Sequence, residues 1–495
     1  MKLKFLFFAI GLLLFSGAFA GNLRLASPFT EHMVLQRNMP IQVWGEAAPG
    51  AMVNVTLDKS SISTESNSDG QWSVTLPKHK AGGPFVFSVR SGNESVSFSD
   101  VMIGEVWICS GQSNMFMSYK GIPDIEELVP KAENIRTFKF KNTVAFEEQK
   151  YIDGQWVEEV PNSAVAFSFA YFLEAEADVP VGIILTCWGS SSIEGWMPRD
   201  MTEKLPHFKK IMEEFDADAV KKAKIDSILQ VEQRTTRGDI FLRTQPNIIY
   251  NAMMKPFAPY SCRGMVWYQG EANANKIDGM LQYGRSLPLW IQRLRDEWKQ
   301  PEFYFLGVML PGYGKQLKPL ELTDSLMESP EALSWAWMRE SQCKALELPN
   351  TAIATTIDLG LKNNIHPHDK LPVGQRLALL AGKTTLGKKG LADGPVFKNA
   401  KQKGNTIVLS YENAQGLKTT DGEAPKAFWL ADDSGKWFRA EAKIKGKKVI
   451  LTAPELQEPL YVRYAFSAMP KVNLVNKANL PARPFRTDSF APQKK

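Results

Sequence analysis

The chain has 495 residues, 44% hydrophobic and 23% charged, with a formal net charge of +6. That is the composition of an ordinary globular protein of about three domains, which excludes collagen-like and disordered classes for its bulk. Residues 1–20 carry Lys2 and Lys4 and no acid, so the remainder holds +4 over 475 residues without a long basic run, which excludes a nucleic-acid partner.

In chain order, residues 1–20 read as a signal peptide. Lys2 and Lys4 form the positive start, Phe5 to Phe15 the apolar stretch, and Ala18-Phe19-Ala20 a small-x-small cleavage site. The apolar stretch falls short of the roughly 20 residues that span a bilayer. No later segment is long and apolar enough to do so. The expectation is an exported protein, periplasmic or extracellular, with no membrane span in the mature chain.

From residue 21 to about 100 the signals are β. Runs such as IQVWG, MVNVTL, QWSVTL and FVFSV alternate and are separated by the turns APGA, SDGQ and AGGP. They predict a small non-catalytic sandwich. Between about 101 and 390 the runs become continuously apolar: VMIGEVWIC, PVGIILTCW, GMVWYQ, FYFLGVML and TAIATTI. Helix-period stretches such as SLPLWIQRLRDEW and VGQRLALLAGKTTL lie between them, which predicts an α/β unit with a parallel sheet covered on both faces. A charged, helix-period segment at about 198–245 reads as an insertion on its surface. β signals return over 391–488, and 489–495 is a tail. Four cysteines are present, and Cys109, Cys187 and Cys262 lie in or beside apolar runs, which favours buried thiols over a disulfide framework or a zinc site.

Ligands of an open parallel sheet bind beyond the carboxyl ends of its strands. After VWIC comes Ser110-Gly111-Gln112-Ser113-Asn114; after LTCW comes Gly189-Ser190-Ser191-Ser192; after MVWY comes Gln269-Gly270-Glu271. After ATTI comes Asp358, then a loop with His366-Pro367-His368-Asp369-Lys370. One rim thus collects a hydroxyl, imidazoles, carboxylates, amides and tight Gly turns, the inventory of acyl transfer. Of five histidines only His366 and His368 follow a strand of this sheet. The pair lacks a third ligand for a metal. Asp358, Glu271 and Asp369 are each placed to orient a base, and pattern leaves the choice among them open. Trp188, Trp196, Trp267 and Tyr268 flank the rim, as sugar platforms or as core.

GEVWICSGQSNM, WYQGEANA and the IHPHDK–VGQRLA stretch resemble the motifs of the sialate O-acetylesterase family, a branch of the SGNH hydrolases. The flanks HMVLQRNMPIQVWGEAAPG and VRYAFSAMPKVNLVNKANLPARPFRTD are similar too, so the resemblance runs from about Leu23 to Asp488. It implies an SGNH-like α/β fold with accessory β regions, no cofactor and no metal. Ser113 would be the nucleophile and His366 the base. Gly189, Gln269 and Gln112 would serve the oxyanion or substrate. The usual Asp three residues before the histidine is Asn363 here, so the orienting acid falls to Asp358 first, Glu271 second, or to a dyad with backbone help. The implied substrate is an O-acetylated glycan, with 9-O-acetylated sialic acid first and acetylxylan or another glycan next. A carbohydrate-binding protein without catalysis is the reading from another class.

Overall fold

The computed structural model describes residues 23–230, 240–314 and 323–492; the segment read as a signal peptide lies outside them. It is a mixed α/β structure with one large mixed sheet and several smaller ones. At its centre are six parallel strands: β1 (Glu94–Gly111), β2 (Ile135–Phe140), β3 (Val181–Cys187), β4 (Gly264–Tyr268), β5 (Tyr304–Val308) and β6 (Thr351–Ala354). They lie in the order β2-β3-β1-β4-β5-β6, with the antiparallel strand Gly154–Val157 outside β2.

Strand β1 is 18 residues long and changes character along its length. Its first half, ESVSFSD, alternates in burial and pairs antiparallel with Gly82–Ser91. Its second half, GEVWICSG, is buried throughout and pairs parallel with both β3 and β4. Period-two alternation suits a sheet wet on one face, and a continuous apolar run suits one covered on both. The boundary expected near residue 100 is therefore not a break in the backbone. One strand carries the chain from the N-terminal β region into the parallel sheet.

The join is fixed by charge as well as pairing. Glu105 in β1 is fully buried, and it accepts from Arg37 Nε at 2.7 Å and from Arg263 Nε at 2.9 Å. Those arginines come from the N-terminal region and from the turn before β4. Losing Glu105 would leave both guanidinium groups without their shared carboxylate.

Helices pack on the sheet as their periodicity requires. In the helix Ile277–Glu297 the residues Met280, Tyr283, Leu287, Trp290, Ile291 and Leu294 are buried, an i, i+3, i+4 face. The helices Ala164–Ala177 and Leu371–Thr385 pack against each other. The described residues of the segment at 198–245 are helical over Arg199–Thr202, Pro206–Ala217, Ala219–Gln230 and Ile240–Arg243, and Phe208, Met212, Phe215, Ile225 and Leu242 among them are buried. Residues 396–486 form two four-stranded sheets and a two-stranded one around a separate core that includes Leu409, Phe428, Leu451 and Tyr464. Cys109, Cys187, Cys262 and Cys343 are unpaired, and the first three are buried.

Gly374 sets how closely the helices Ala164–Ala177 and Leu371–Thr385 approach. A Cβ there would lie 2.3 Å from Ser168 Cβ and 2.6 Å from the Phe169 backbone nitrogen. Gly→Ala inside a helix ordinarily stabilises by about 1 kcal/mol. Here the collision dominates, and overpacking costs about 1–3 kcal/mol. Gly374→Ala is expected to lower the thermal unfolding midpoint; a raised midpoint would show that the helices separate freely.

Candidate active site

Going out along the sheet from β1, the chain visits β2 and β3 on one side and β4 to β6 on the other. The carboxyl end of β1 is thus a topological switch point, where a crevice opens between loops that diverge. Three segments meet there. Gly111 ends β1 at φ 138°, and a Cβ on it would stand 2.1 Å from the Tyr268 carbonyl oxygen. Only glycine fits that position. Gln112 follows in extended conformation, and its carbonyl accepts from the Met115 and Phe116 amides, starting the one-turn helix Ser113–Phe116.

Ser113 is therefore the first residue of a helical turn, half-buried, with its hydroxyl toward the loop after β6. From that loop His366 reaches back, and its Nε2 lies 2.8 Å from Ser113 Oγ. These two residues are 253 positions apart. Burial first, then the charges of Lys370 and His368, hold the His366 imidazole below its ordinary value. It is consequently neutral at pH 7, the form able to accept a proton. Gly189 stands on the other side, where a Cβ would come 3.5 Å from Ser113 Cβ. Neither the Ser113 nor the Gly189 N–H is engaged by another backbone group among the described residues. The Gly189 carbonyl is held by Arg243 Nη1 at 3.1 Å.

The remaining expected residues are placed otherwise. Asp358 gives both oxygens to Arg376, at 2.7 and 2.6 Å, and makes no hydrogen bond to His366. The first choice of acid is therefore placed on Arg376 and is not brought to the imidazole. Glu271 is also not on the ring: its Oε1 accepts from Asn114 Nδ2, and its Oε2 is buried without a partner among the described residues. Asn363 makes no bond to the ring either. The Asn364 side chain accepts from the His366 amide at 2.9 Å and shapes the loop. Among the described residues, His366 has no carboxylate partner.

Gln112 and Gln269 are hydrogen-bonded to each other. Gln269 is fully buried, and its amide nitrogen already faces Gln112 Oε1, Asn273 Oδ1 and the Ser191 carbonyl at 2.9–3.2 Å. Gln112 Oε1 also accepts from the Ala272 amide at 3.1 Å. The two side chains clamp the loop after β4 to the Ser113 turn; the Gln269 amide nitrogen is taken by these acceptors, whereas Gln112 is held through its Oε1. Trp196, Trp267 and Tyr268 are at most 2% exposed, and Trp196 and Trp267 stack edge to face at 5.9 Å. They are core and not sugar platforms; Trp188 is also buried, beneath Arg243.

Three contributors escaped the sequence. Asn114 and Lys370 lay inside the quoted motifs, but nothing in the string says they touch. Arg243 sits in the charged helical segment, 54 positions from the Gly189 carbonyl it holds, and gave no signal. For a metal, the described donors that converge are His32, Asp100 and Glu158, in the N-terminal region and at the sheet edge. Arg136 donates to Asp100 at 2.8 Å and to Glu158 at 3.1 Å, so the cation's place is taken.

The Asp358 geometry has a measurable consequence. Replacing the acid of a true triad by its amide costs about 10⁴-fold in kcat. Asp358→Asn is expected to keep kcat for an acetyl ester within about tenfold of wild type, since the side chain serves Arg376. A loss on the triad scale would return Asp358 to the site.

The sequence model of the family "Carbohydrate esterase, sialic acid-specific acetylesterase" matches residues 241–381, a span that holds Gln269, Glu271, His366 and Lys370. Sialate O-acetylesterase of Mus musculus is 26% identical over 505 residues, covering 90% of this chain and 90% of its own. The Homo sapiens protein is 26% identical over 507 residues, with 93% of this chain and 90% of its own covered. A carbohydrate acetylesterase from Xanthomonas citri superposes with a TM-score of 0.80 at 31% identity, over 94% of this chain and all of the other. With that likeness running nearly end to end, the chain belongs to the sialate O-acetylesterase family of carbohydrate esterases and is a carboxylic ester hydrolase.

Proposed function

We propose that the protein is an exported SGNH-type serine esterase that removes O-acetyl groups from glycans, with 9-O-acetylated sialic acid as its first substrate. The observation that carries the reading is the 2.8 Å contact between Ser113 Oγ and His366 Nε2 at the switch point of the sheet. Export rests on the signal-like residues 1–20. The preference for sialic acid rests on the names of the mouse and human relatives. The Xanthomonas citri structure is named only for carbohydrate, which keeps acetylxylan and other glycans as the alternative substrates.

In this mechanism His366 Nε2 takes the Ser113 proton as Oγ attacks the acetyl carbonyl. The developing oxyanion lies against the N–H groups of Ser113 and Gly189, and each such donor is worth about 3–4 kcal/mol in the transition state. The imidazolium returns its proton to the sugar oxygen, which leaves as the free hydroxyl. Water then enters, His366 takes its proton, and the acetyl-serine is hydrolysed to acetate. With no carboxylate on its ring, His366 is a dyad base.

Acetate release from O-acetylated sialoglycan and from acetylxylan, measured in parallel, tests the reading. Wild type is expected to release acetate from the sialoglycan, and Ser113→Ala to lose at least about 10³-fold. Release only from xylan would change the substrate, and release unchanged in the mutant would remove the mechanism. Activity should also follow the neutral imidazole. Because His366 sits below the ordinary histidine value of about 6.5, kcat/KM is expected to rise with pH, with its half-point below that value, and to level off above it. An acid limb centred above pH 7 would contradict this placement.

A further inference from the structure

Behind the Ser113–His366 pair lies a buried cluster that the mechanism above does not use. The Lys370 ammonium is fully buried, donates to Asn114 Oδ1 at 2.6 Å and lies 5.3 Å from the centroid of the Tyr268 ring. Asn114, next to the nucleophile, is itself fully buried. Its amide nitrogen donates to Glu271 Oε1 at 2.5 Å and to the Ile365 carbonyl, next to the base, at 3.1 Å. One side chain therefore bridges the serine turn, the loop after β4 and the histidine loop.

From this geometry we infer that Lys370 is a positioning residue of the esterase reaction, acting through Asn114 to set both the seat and the charge environment of His366. The inference rests on the serine-esterase reading and deepens it. An ammonium can only donate, so it turns Asn114 Oδ1 toward itself and the amide nitrogen toward Glu271 and Ile365. The same positive charge balances the buried carboxylate of Glu271, which alone would take up a proton. A protonated Glu271 would compete as donor, and Asn114 would lose its grip on the Ile365 carbonyl.

The electrostatics agree with this arrangement. Burial pushes the Lys370 ammonium down to about 8, while Glu271 and then Asp369 pull it back. Burial raises Glu271, against the Asn114 hydrogen bond and the Lys370 charge. The charged groups that His366 itself feels are Lys370 and His368, both of which disfavour the imidazolium. Lys370 thus adds to the effect of burial in keeping the base neutral while holding it in place.

The test is the pH profile of 4-nitrophenyl acetate hydrolysis by Lys370→Met, Lys370→Met/Glu271→Gln and Ser113→Ala. Lys370→Met is expected to lower kcat by about 10- to 100-fold with little change in KM. With a positive charge gone from beside the imidazole, its acid limb should move up by about half a pH unit or more. The double variant removes both buried charges and is expected to regain the unfolding midpoint lost by the single one, while keeping the raised acid limb. A merely structural lysine would move stability and leave that limb in place. An unmoved acid limb in a folded single or double variant, with kcat within about twofold of wild type, overturns the inference. Undiminished hydrolysis by Ser113→Ala would instead overturn the serine reading beneath it.

Discussion

Everything at the site depends on where strand Glu94–Gly111 stops. The strand is held on one side by the N-terminal β region and on both sides by parallel neighbours, and buried Glu105 locks it to two arginines. It has no freedom to slide, because a one-residue slip would exchange its buried and outward faces. At Gly111 the backbone passes against the Tyr268 carbonyl at a distance that excludes any Cβ. That close pass points Ser113 out of the sheet. The accessory β region therefore anchors the strand that presents the serine.

The chemistry then follows from an uneven distribution of charge. The acid next to the histidine loop, Asp358, is engaged by Arg376 and braces the start of that loop. The carboxylate nearest the serine turn, Glu271, is buried and bound to an amide instead of an imidazole. A buried lysine lies on the far side of that same amide. The pair Ser113–His366 is thus framed by a neutralised charge pair behind it and by backbone N–H groups in front. Such a frame favours a neutral base at rest, and in the proposed mechanism the peptide amides of Ser113 and Gly189 stabilise the oxyanion.

Much of the fold was legible because its physical causes are local. Continuous apolar runs marked β1, β3, β4, β5 and β6, and helix-period stretches marked Ile277–Glu297 and Leu371–Thr385. The change of pattern expected near residue 100 falls inside β1, which passes from alternating to continuous burial without a turn. The segment at 198–245 reads as surface because it is rich in charge, yet Phe208, Met212, Phe215, Ile225 and Leu242 are buried. Trp196 and Trp267 were ambiguous in the string because a large aromatic suits a core or a sugar equally well, and only their neighbours decide.

Local pattern alone is enough for the residue inventory at the strand ends: Ser113 after one strand, Gly189 after the next and His366 in the loop after another. Those positions follow from local pattern and from strand-end geometry that open parallel sheets share. The tertiary structure decided which of those polar groups meet. Whether Asp358 faces His366 or Arg376, and whether Gln269 faces an oxyanion or Gln112, depends on side chains from elements 18 to 157 positions apart packing in one crevice. Hydrogen bonds at such separations are set by the register of whole strands and helices, and no local pattern encodes them.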